Sequence, residues 1–435
     1  MGTYHPLRDV PQRHKYGSGD VLVVFGELFQ RGYANGIVDE AKKAGMKIIY
    51  STVGRRDENL QLRCLTSDEL REKEAPLVNV PLEAGFDLEP SKQGPSPVDQ
   101  LKGIKLSHWE SAELDFAQVE ESQKAGRIRF RKAVQDYLVQ LEKEIPESAN
   151  VLFVHTMAGG FPRAKVVMPA ANRVFKGSGP RYFSSQTFWE SDIGRLCERN
   201  FQEVTGETLY HLLDLSSELR NKIEGRGRTV RYVSYGYHGT EILMKDHYQW
   251  QSYAPYLQGW AKLRLEEIAK EFWEKGVQVS VFNAPEILTN SSGIFLGVEV
   301  SLYPLIRALK KECENKEKVD RLFQACEALL LEEHSLDELL DGADLYFAHP
   351  EIKKLTEFST WPQHNFETQM NLMRDTSSKF LEIHKSDKEL IVANLSEVVF
   401  QACGRLMIDR SQDLQSPVWW LGHDVIAKVF GQLDA

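Results

Sequence analysis

The segment 228–292 constrains the fold of this chain most strongly. Its pattern predicts a strand at 229–235, a polar loop, a long amphipathic helix at about 255–275 and an apolar strand at 277–282. A connection of this length with a helix inside it joins parallel strands and is too long for a hairpin. We therefore expect an α/β fold with a parallel sheet, whose strands carry ligand-binding groups at their carboxyl ends.

Residues 20–52 repeat this pattern near the start of the chain. A continuous apolar run at 21–25 predicts a buried parallel strand, and a helix and a second strand follow it. Gly26, Gly32 and Gly36 come after the first strand. Glycines at such a place let the backbone approach a pyrophosphate at a helix N-terminus, which predicts dinucleotide binding. Their spacing matches no standard glycine motif, so ordinary turn glycines are the alternative.

Two arginines, Arg55 and Arg56, follow the second strand of this unit. In dinucleotide folds this position faces the adenosine ribose, where an acidic residue binds the 2′-hydroxyl of NAD and an arginine accommodates the 2′-phosphate of NADP. Because a guanidinium makes bidentate contacts with phosphate, the pair predicts NADPH as the preferred cofactor, with NADH possible. The alternative is that both arginines are solvated loop residues.

A further buried strand is predicted at 151–155, and small residues follow it. Ala158 and Gly159 in that loop would let a nicotinamide ribose lie against the backbone, although a simple tight turn would have the same sequence. Residues 66–125 contain a stretch rich in Pro, Ser and Gly, which indicates an insertion, with a third strand near 77–80.

Composition limits the remaining possibilities. The chain has 435 residues, of which 42% are hydrophobic, and we expect one domain with a C-terminal helical extension at 310–435, as a monomer or a homodimer. A net charge of −10 argues against binding to nucleic acid or to an anionic membrane. Five scattered cysteines without metal-ligand spacing predict reduced thiols, no metal site and a cytoplasmic location. The sequence contains no run of about 18 apolar residues, the length that would indicate a membrane span.

Tyr253 and Lys262, at the start of the predicted helix 255–275, form a plausible catalytic pair. A phenol ordinarily titrates near ~10 and an ammonium near ~10.4, so a fixed positive charge beside the phenol favours its ionised form and makes it a better proton donor. Such a pair suits a reaction in which negative charge develops on a carbonyl oxygen.

The sequence Tyr-Gly-Tyr-His-Gly-Thr-Glu at 235–241, followed by Tyr253, eight residues and Lys262, resembles the FabV-type enoyl-acyl carrier protein reductases and the related trans-2-enoyl-CoA reductases. These enzymes are a branch of the short-chain dehydrogenase/reductase superfamily. The resemblance implies a doubly wound, Rossmann-like parallel sheet and NAD(P)H-dependent reduction of a trans-2-enoyl thioester in fatty acid biosynthesis. It also implies that Tyr253 is the acid, that Tyr237 assists, and that Lys262 binds the nicotinamide ribose.

The resemblance is imperfect at two places. Glu286 stands where the superfamily usually has glycine in a Pro-Gly-x-x-x-Thr pattern, after which Thr289 and Asn290 would donate hydrogen bonds to the pyrophosphate. Trp260 stands where FabV-type enzymes usually carry another lysine. The substrate carrier, coenzyme A or acyl carrier protein, stays open. Two alternative functions also stay open: a reductase of the same fold that acts on another activated alkene or carbonyl, and a catalytically silent homologue that binds a dinucleotide.

Overall fold

A computed structural model describes residues 5–29, 32–92, 94–177, 185–252, 257–289, 297–354 and 365–433 of the chain. Its strands are β1 (Val21–Phe25), β2 (Lys47–Thr52), β3 (Arg55–Arg56), β4 (Leu62–Arg63), β5 (Leu77–Pro81), β6 (Val151–His155), β7 (Val230–Gly236), β8 (Gly239–Met244), β9 (His247–Ser252), β10 (Val279–Asn283) and β11 (Val418–Trp420).

Helices occupy most of the remaining described residues. They are α1 (Tyr33–Lys43), α2 (Ser67–Arg71), α3 (Pro97–Gln100), α4 (Phe116–Glu144), α5 (Val167–Phe175), α6 (Ser185–Glu190), α7 (Asp192–Phe201), α8 (Thr208–Leu215), α9 (Ser217–Glu224), α10 (Leu257–Glu274), α11 (Val298–Leu302), α12 (Leu305–Glu312), α13 (Lys316–Glu327), α14 (Leu336–Ala348), α15 (Pro350–Lys353), α16 (Glu367–Glu382), α17 (Ile391–Arg410) and α18 (His423–Gln432). A 3₁₀ segment covers Leu106–Ser111, and a π-helical segment, Gln202–Glu207, joins α7 to α8.

The central sheet has the strand order β5-β2-β1-β6-β7-β10-β11, and all of its neighbouring strands are parallel. From β1 the chain first builds outward to β2 and β5, and then crosses to β6 on the other side of β1. The predicted doubly wound α/β fold is therefore confirmed. The reversal between β1 and β6 is a topological switch point, where the carboxyl ends of the strands border a crevice.

Alternate residues of β1 pack into two different hydrophobic layers. Leu22 and Val24 belong to the layer that includes α1, α12, α17 and α18. Val21, Val23 and Phe25 belong to the opposite layer, which includes α4, α8, α9 and α10. A strand buried on both faces needs an unbroken apolar sequence, which explains why β1 occurs where the sequence predicted it.

The C-terminal region contributes directly to this core. Strand β11 is the last strand of the sheet, and α17 packs along α1. A Cβ added at Gly404 would lie 2.0 Å from the carbonyl carbon of Gly36, and one added at Gly36 would lie 1.9 Å from the backbone oxygen of Phe400. These glycines allow the two helix backbones to touch. Helix α17 is long and apolar enough to cross a membrane by length and composition, but most of it is buried inside the fold.

The segment between β7 and α10, predicted as a polar loop, is instead a β-hairpin. Strands β8 and β9 pair antiparallel from Gly239 opposite Ser252 to Met244 opposite His247. Lys245, in the tight turn, has a positive φ of 51°. The hairpin returns the chain to the carboxyl end of β7 before α10 begins.

Candidate active site

The carboxyl edge of the sheet gathers most of the sequence-predicted site residues that lie within the described ranges. Gly26 follows β1, Ala158 and Gly159 follow β6, Tyr237 follows β7, and Lys262 lies in α10, the crossover helix between β7 and β10. They come from separate parts of the chain, and parallel strands bring them to one edge because each strand ends there.

Lys262 is the best-defined of these residues. Its side chain is buried, and its Nζ donates a hydrogen bond of 2.6 Å to the backbone oxygen of Tyr235, near the end of β7. Burial lowers the pKa of Lys262 from its ordinary value to about 8. The ammonium therefore lies near the carboxyl end of β7, buried where a neighbouring negative charge would stabilise it.

Tyr253 and Asn290 lie outside the described residues. Ser252, which precedes Tyr253 in the sequence, pairs with Gly239, two residues after Tyr237. The hairpin ends at Ser252, and α10, which carries Lys262, begins at Leu257. Thr289 is partly buried, and the backbone N–H of the preceding Leu288 donates to Ser396 Oγ.

Tyr237 is partly buried and has a carboxylate partner. Its hydroxyl donates to Glu286 Oε1 over 2.6 Å, and Ser301 Oγ donates to Glu286 Oε2 over 3.1 Å. Glu286 departs from the superfamily pattern, but nothing in the sequence connects it with Tyr237.

A second buried network lies directly behind this loop. His238 donates its backbone N–H to Asn283 Oδ1 over 2.9 Å, and its Nδ1 lies 3.2 Å from Glu266 Oε1. The amide of Asn283 also donates to Glu266 over 2.9 Å. Glu266 is one helical turn after Lys262, so α10 supports both Lys262 and the loop that carries Tyr237. The sequence signal for this network is the spacing of Lys262 and Glu266 on one helix face.

His155, the last residue of β6, links the site to the π-helical segment. Thr208 Oγ1 donates to the backbone oxygen of Val204, so it accepts from His155 Nε2, and Ser234 then donates to His155 Nδ1. Burial, reinforced by the charge of Lys262, lowers the pKa of His155 well below its ordinary value. His155 is therefore neutral, and it connects β6, β7 and α8.

The loop after β6 is also held by the π-helical segment. The backbone N–H of Gly159 donates to Thr205 Oγ1, which donates in turn to the Gly159 oxygen. Gly159 has a φ of 117° and Gly160 one of 137°, conformations that favour glycine. Ala158 is exposed and lines the crevice beside them.

The crevice at the switch point contains a cleft of about 260 Å³. Leu82 and Met157 contribute apolar surface to it, while Glu27, Glu83 and Asp87 contribute carboxylates. A cleft with apolar walls and a few polar groups at this edge of a doubly wound sheet has the character of a nucleotide site.

The start of the crevice fits a dinucleotide. Gly26 has a φ of 121°, and a Cβ there would lie 2.5 Å from Thr156 Oγ1, so a side chain would fill the space between β1 and β6. Gly32 is the N-cap of α1; among the described residues no side chain caps this terminus, and its first turn carries no acid. Such a terminus suits a pyrophosphate. Gly36 was expected to help here, but its Cα faces Phe400 of α17, so helix packing explains it.

The two arginines expected at a 2′-phosphate have carboxylate partners. Arg55 donates through both terminal nitrogens to Glu27, over 3.0 and 2.9 Å, and Lys73 donates to the same carboxylate over 2.7 Å. Burial would raise the pKa of Glu27, but hydrogen bonds from Arg55, Lys73 and Thr52 lower it to about 2. The alternative of solvated arginines is therefore wrong for Arg55, and the guanidinium is already engaged.

Arg56 has the same kind of partner. Its Nε and Nη2 donate to the carboxylate of Glu83. Burial would raise the pKa of Glu83, but the guanidinium groups of Arg56 and Arg163 lower it below its ordinary value. Arg163 also pairs with Asp87 over 2.6 Å. The charged side chains where the sequence predicted the adenosine thus pair with one another, which favours the NADH alternative that the sequence left open.

The cysteines do not contribute to the site. All five lie within the described ranges, and none forms a disulfide. Within the same ranges, no cluster of three or more His, Cys, Asp or Glu side chains is suited to hold a metal ion.

A doubly wound parallel sheet, glycines at its switch point and a buried lysine on the crossover helix are the architecture of a dinucleotide-binding protein of the short-chain dehydrogenase/reductase type. A family model for the enoyl-acyl carrier protein reductase FabMG matches residues 3–430. The chain belongs to the FabMG family of enoyl-acyl carrier protein reductases.

Solved structures give the same result. The apo structure of FabMG, described as a novel type of enoyl-acyl carrier protein reductase, is 46% identical to this chain, with a TM-score of 0.95 and coverage of 99% of both chains. The NADH-bound structure of FabMG is 40% identical, with a TM-score of 0.80 and coverage of 98% of both chains. No curated protein matches the chain. The predicted activity is therefore confirmed: the chain is an oxidoreductase that reduces the 2,3 double bond of a trans-2-enoyl thioester with a nicotinamide cofactor.

Proposed function

We propose that this enzyme uses NADH to reduce enoyl groups carried on acyl carrier protein, with Tyr253, Tyr237 and Lys262 as its catalytic residues. The observation that carries the proposal is the buried Lys262 ammonium, which donates to the backbone oxygen of Tyr235 near the carboxyl end of β7. We further propose that the chain acts in the cytoplasm as one domain, with 66–125 and 310–435 as additions to a shared core.

The chemistry requires a stabilised negative charge. When bound, the reduced nicotinamide supplies the hydride that adds to the β-carbon of the enoyl thioester. The electron pair of the double bond then moves onto the thioester oxygen, and the phenol of Tyr253 donates to that oxygen. Lys262 binds the nicotinamide ribose hydroxyls and keeps a positive charge near the phenol, which makes the phenol a stronger acid.

The low dielectric around Lys262 makes its charge effective. A buried ammonium with a pKa of about 8 is only modestly stable in the protonated form, so an adjacent phenolate or enolate would raise that pKa again. The charge of Lys262 and the charge that develops on the substrate thus stabilise each other. Tyr237, held by Glu286, would contribute a second hydroxyl at the same edge.

Support for NADH comes from the adenosine end of the crevice. Arg55 and Lys73 are both committed to Glu27, and Arg56 is committed to Glu83. A 2′-phosphate would have to draw a guanidinium away from a carboxylate, whereas the 2′-hydroxyl of NADH imposes no such cost. The NADH-bound structure of the FabMG relative agrees with this preference.

The proposal is tested by NADH oxidation with dodecenoyl-acyl carrier protein and dodecenoyl-CoA. Tyr253→Phe and Lys262→Met should each lower kcat by ~10²-fold or more, in line with the contribution of a general acid. Lys275→Met is the matched control, because Lys275 directly follows the same helix, pairs with Glu271 and has 55% of its side chain exposed. Full activity of Tyr253→Phe or Lys262→Met would refute their catalytic roles, and faster turnover of the CoA substrate would refute the carrier.

A further inference from the structure

Glu286 is a buried carboxylate that the reaction described above uses only to hold Tyr237. It lies on the segment after β10, is 9% exposed, and accepts a hydrogen bond of 2.6 Å from the hydroxyl of Tyr237. A distance of this length is typical of a charge-assisted bond between a hydroxyl and a carboxylate. Burying a carboxylate is costly unless it is hydrogen-bonded, so its position at the catalytic edge calls for a functional explanation.

The surrounding structure fixes Glu286 from both sides. Tyr33 of α1 donates its hydroxyl to the backbone oxygen of Pro285, and the N–H of Leu288 donates to Ser396 Oγ of α17 over 2.8 Å. Ser301 Oγ binds the second carboxylate oxygen. Helices on one face of the sheet therefore anchor the chain on each side of Glu286, and the carboxylate is aimed at Tyr237.

The bond determines what Tyr237 is able to do. A phenol has one O–H, and while that proton points to Glu286 it is not available to a substrate oxygen. If Glu286 carries a proton, the direction reverses: the carboxylic acid donates to the phenol oxygen, and the phenol donates to the crevice. The protonation state of Glu286 thus selects whether Tyr237 acts as an acceptor or a donor towards the substrate.

We propose that Glu286 is the proton store for Tyr237; this rests on the catalytic role of Tyr237 in the proposed function. After hydride addition, the C3–H bond has formed and the electron pair of the double bond lies on the enolate. C2 of the enolate takes the Tyr237 proton as that phenol O–H bond breaks, while Tyr253 donates a hydrogen bond to the enolate oxygen and keeps its proton. The Glu286 O–H bond breaks as the Tyr237 phenol regains a proton. Glu286 is left as a carboxylate and takes a proton from solvent before the next turnover, which supplies the one proton that the reduction consumes.

The test is Glu286→Gln, measured as NADH oxidation with the enoyl thioester. Glutamine keeps the size of the side chain and an acceptor oxygen for Tyr237, but it does not exchange a proton in this way. We expect kcat to fall by about tenfold or more, with KM changed by less than about twofold, because a relay contributes to the transition state alone. The matched control is Glu40→Gln, which removes a different buried carboxylate, on α1, where it pairs with Arg13 and Lys43; this variant should keep wild-type kcat.

A double-mutant cycle separates the relay from a structural role. Tyr237→Phe should lower kcat to the same extent as Glu286→Gln, and adding Glu286→Gln to Tyr237→Phe should cause no further loss, since both remove one relay. A proton inventory in mixed H₂O and D₂O should be curved for the wild type and linear for Glu286→Gln. If Glu286→Gln fails to fold, Tyr237→Phe still tests the relay, because wild-type kcat or an unchanged curved inventory in that variant would overturn it.

Three results would overturn the role of Glu286 as a proton store. They are a wild-type kcat in Glu286→Gln, a kcat in the double variant that falls by the product of the two single losses, and a proton inventory that stays curved in Glu286→Gln. Failure of the wider catalytic assignment would look different, because Tyr253→Phe and Lys262→Met would then keep full activity whatever Glu286→Gln does.

Discussion

Replacing Glu27 should make the enzyme accept NADPH. Glu27 holds Arg55 through two hydrogen bonds of 3.0 and 2.9 Å and holds Lys73 through a third of 2.7 Å. For Arg55 to bind a 2′-phosphate, its two bonds to Glu27 must break. At about 1.5 kcal/mol for each bond to a charged group, the cost is about 3 kcal/mol, or roughly a hundredfold in affinity.

Glu27→Gln removes the charge and leaves the amide with one acceptor oxygen. About half of that cost then disappears, so kcat/KM for NADPH should rise by about tenfold, while kcat/KM for NADH should change by less than about threefold. The assay is steady-state oxidation of each cofactor with one enoyl thioester at saturating concentration. Glu144→Gln is the control, because Glu144 forms an ion pair with Lys47 in which both side chains are partly exposed.

Two results would refute this reasoning. Wild-type enzyme that uses NADPH as efficiently as NADH would mean that Glu27 does not restrain Arg55. An unchanged ratio of the two cofactors in Glu27→Gln would mean that the 2′-position is read elsewhere in the crevice.

Two stability predictions follow from the same structure. Lys262→Met should stabilise the fold at pH 7 by up to about 3 kcal/mol, because folding lowers the pKa of Lys262 to about 8. The free-energy cost of burying the charged lysine is complete below pH 8 and vanishes as the pH rises towards 10.5. The gain in Tm should therefore shrink over that range, and a constant gain would contradict the prediction. Gly36→Ala should force α1 and α17 apart and lower the urea midpoint, at a cost of about 1–3 kcal/mol or more in the free energy of unfolding. Gly17→Ala is the control and should leave the midpoint unchanged, because Gly17 has open space around it. Equal midpoints for the two variants would contradict the packing argument.

The frame of the fold could be predicted because buried parallel strands require unbroken apolar runs. Strand β1 begins and ends where the sequence indicated, and the third strand, β5, lies at Leu77–Pro81 within the predicted insertion. Strand β11 has three residues, too short for periodicity to reveal, and its place in the sheet depends on pairing with β10. The hairpin was missed because its turn, Lys245-Asp246, lacks the usual glycine.

The site was predictable to the extent that its residues lie in a local motif. Lys262 and Tyr237 have a recognisable spacing, and the structure brings them to one edge of the sheet. The carboxylates that control them have no such signal: Glu286 reaches Tyr237 across 49 residues, and Glu27 reaches Arg55 across 28. These pairs exist because folding brings β1 beside β2 and β7 beside β10, so the role of the arginines could not be read from their sequence position.

The most direct test of the catalytic account follows the two hydrogens that are added to the substrate. Dodecenoyl-acyl carrier protein is reduced with NADH deuterated at C4 in ordinary water, and with ordinary NADH in D₂O, and the acyl product is analysed by mass spectrometry. The account predicts deuterium from the cofactor at C3 and deuterium from solvent at C2, at a rate that collapses in Tyr253→Phe. Cofactor deuterium at C1, or a saturated product formed equally fast by Tyr253→Phe, would contradict it.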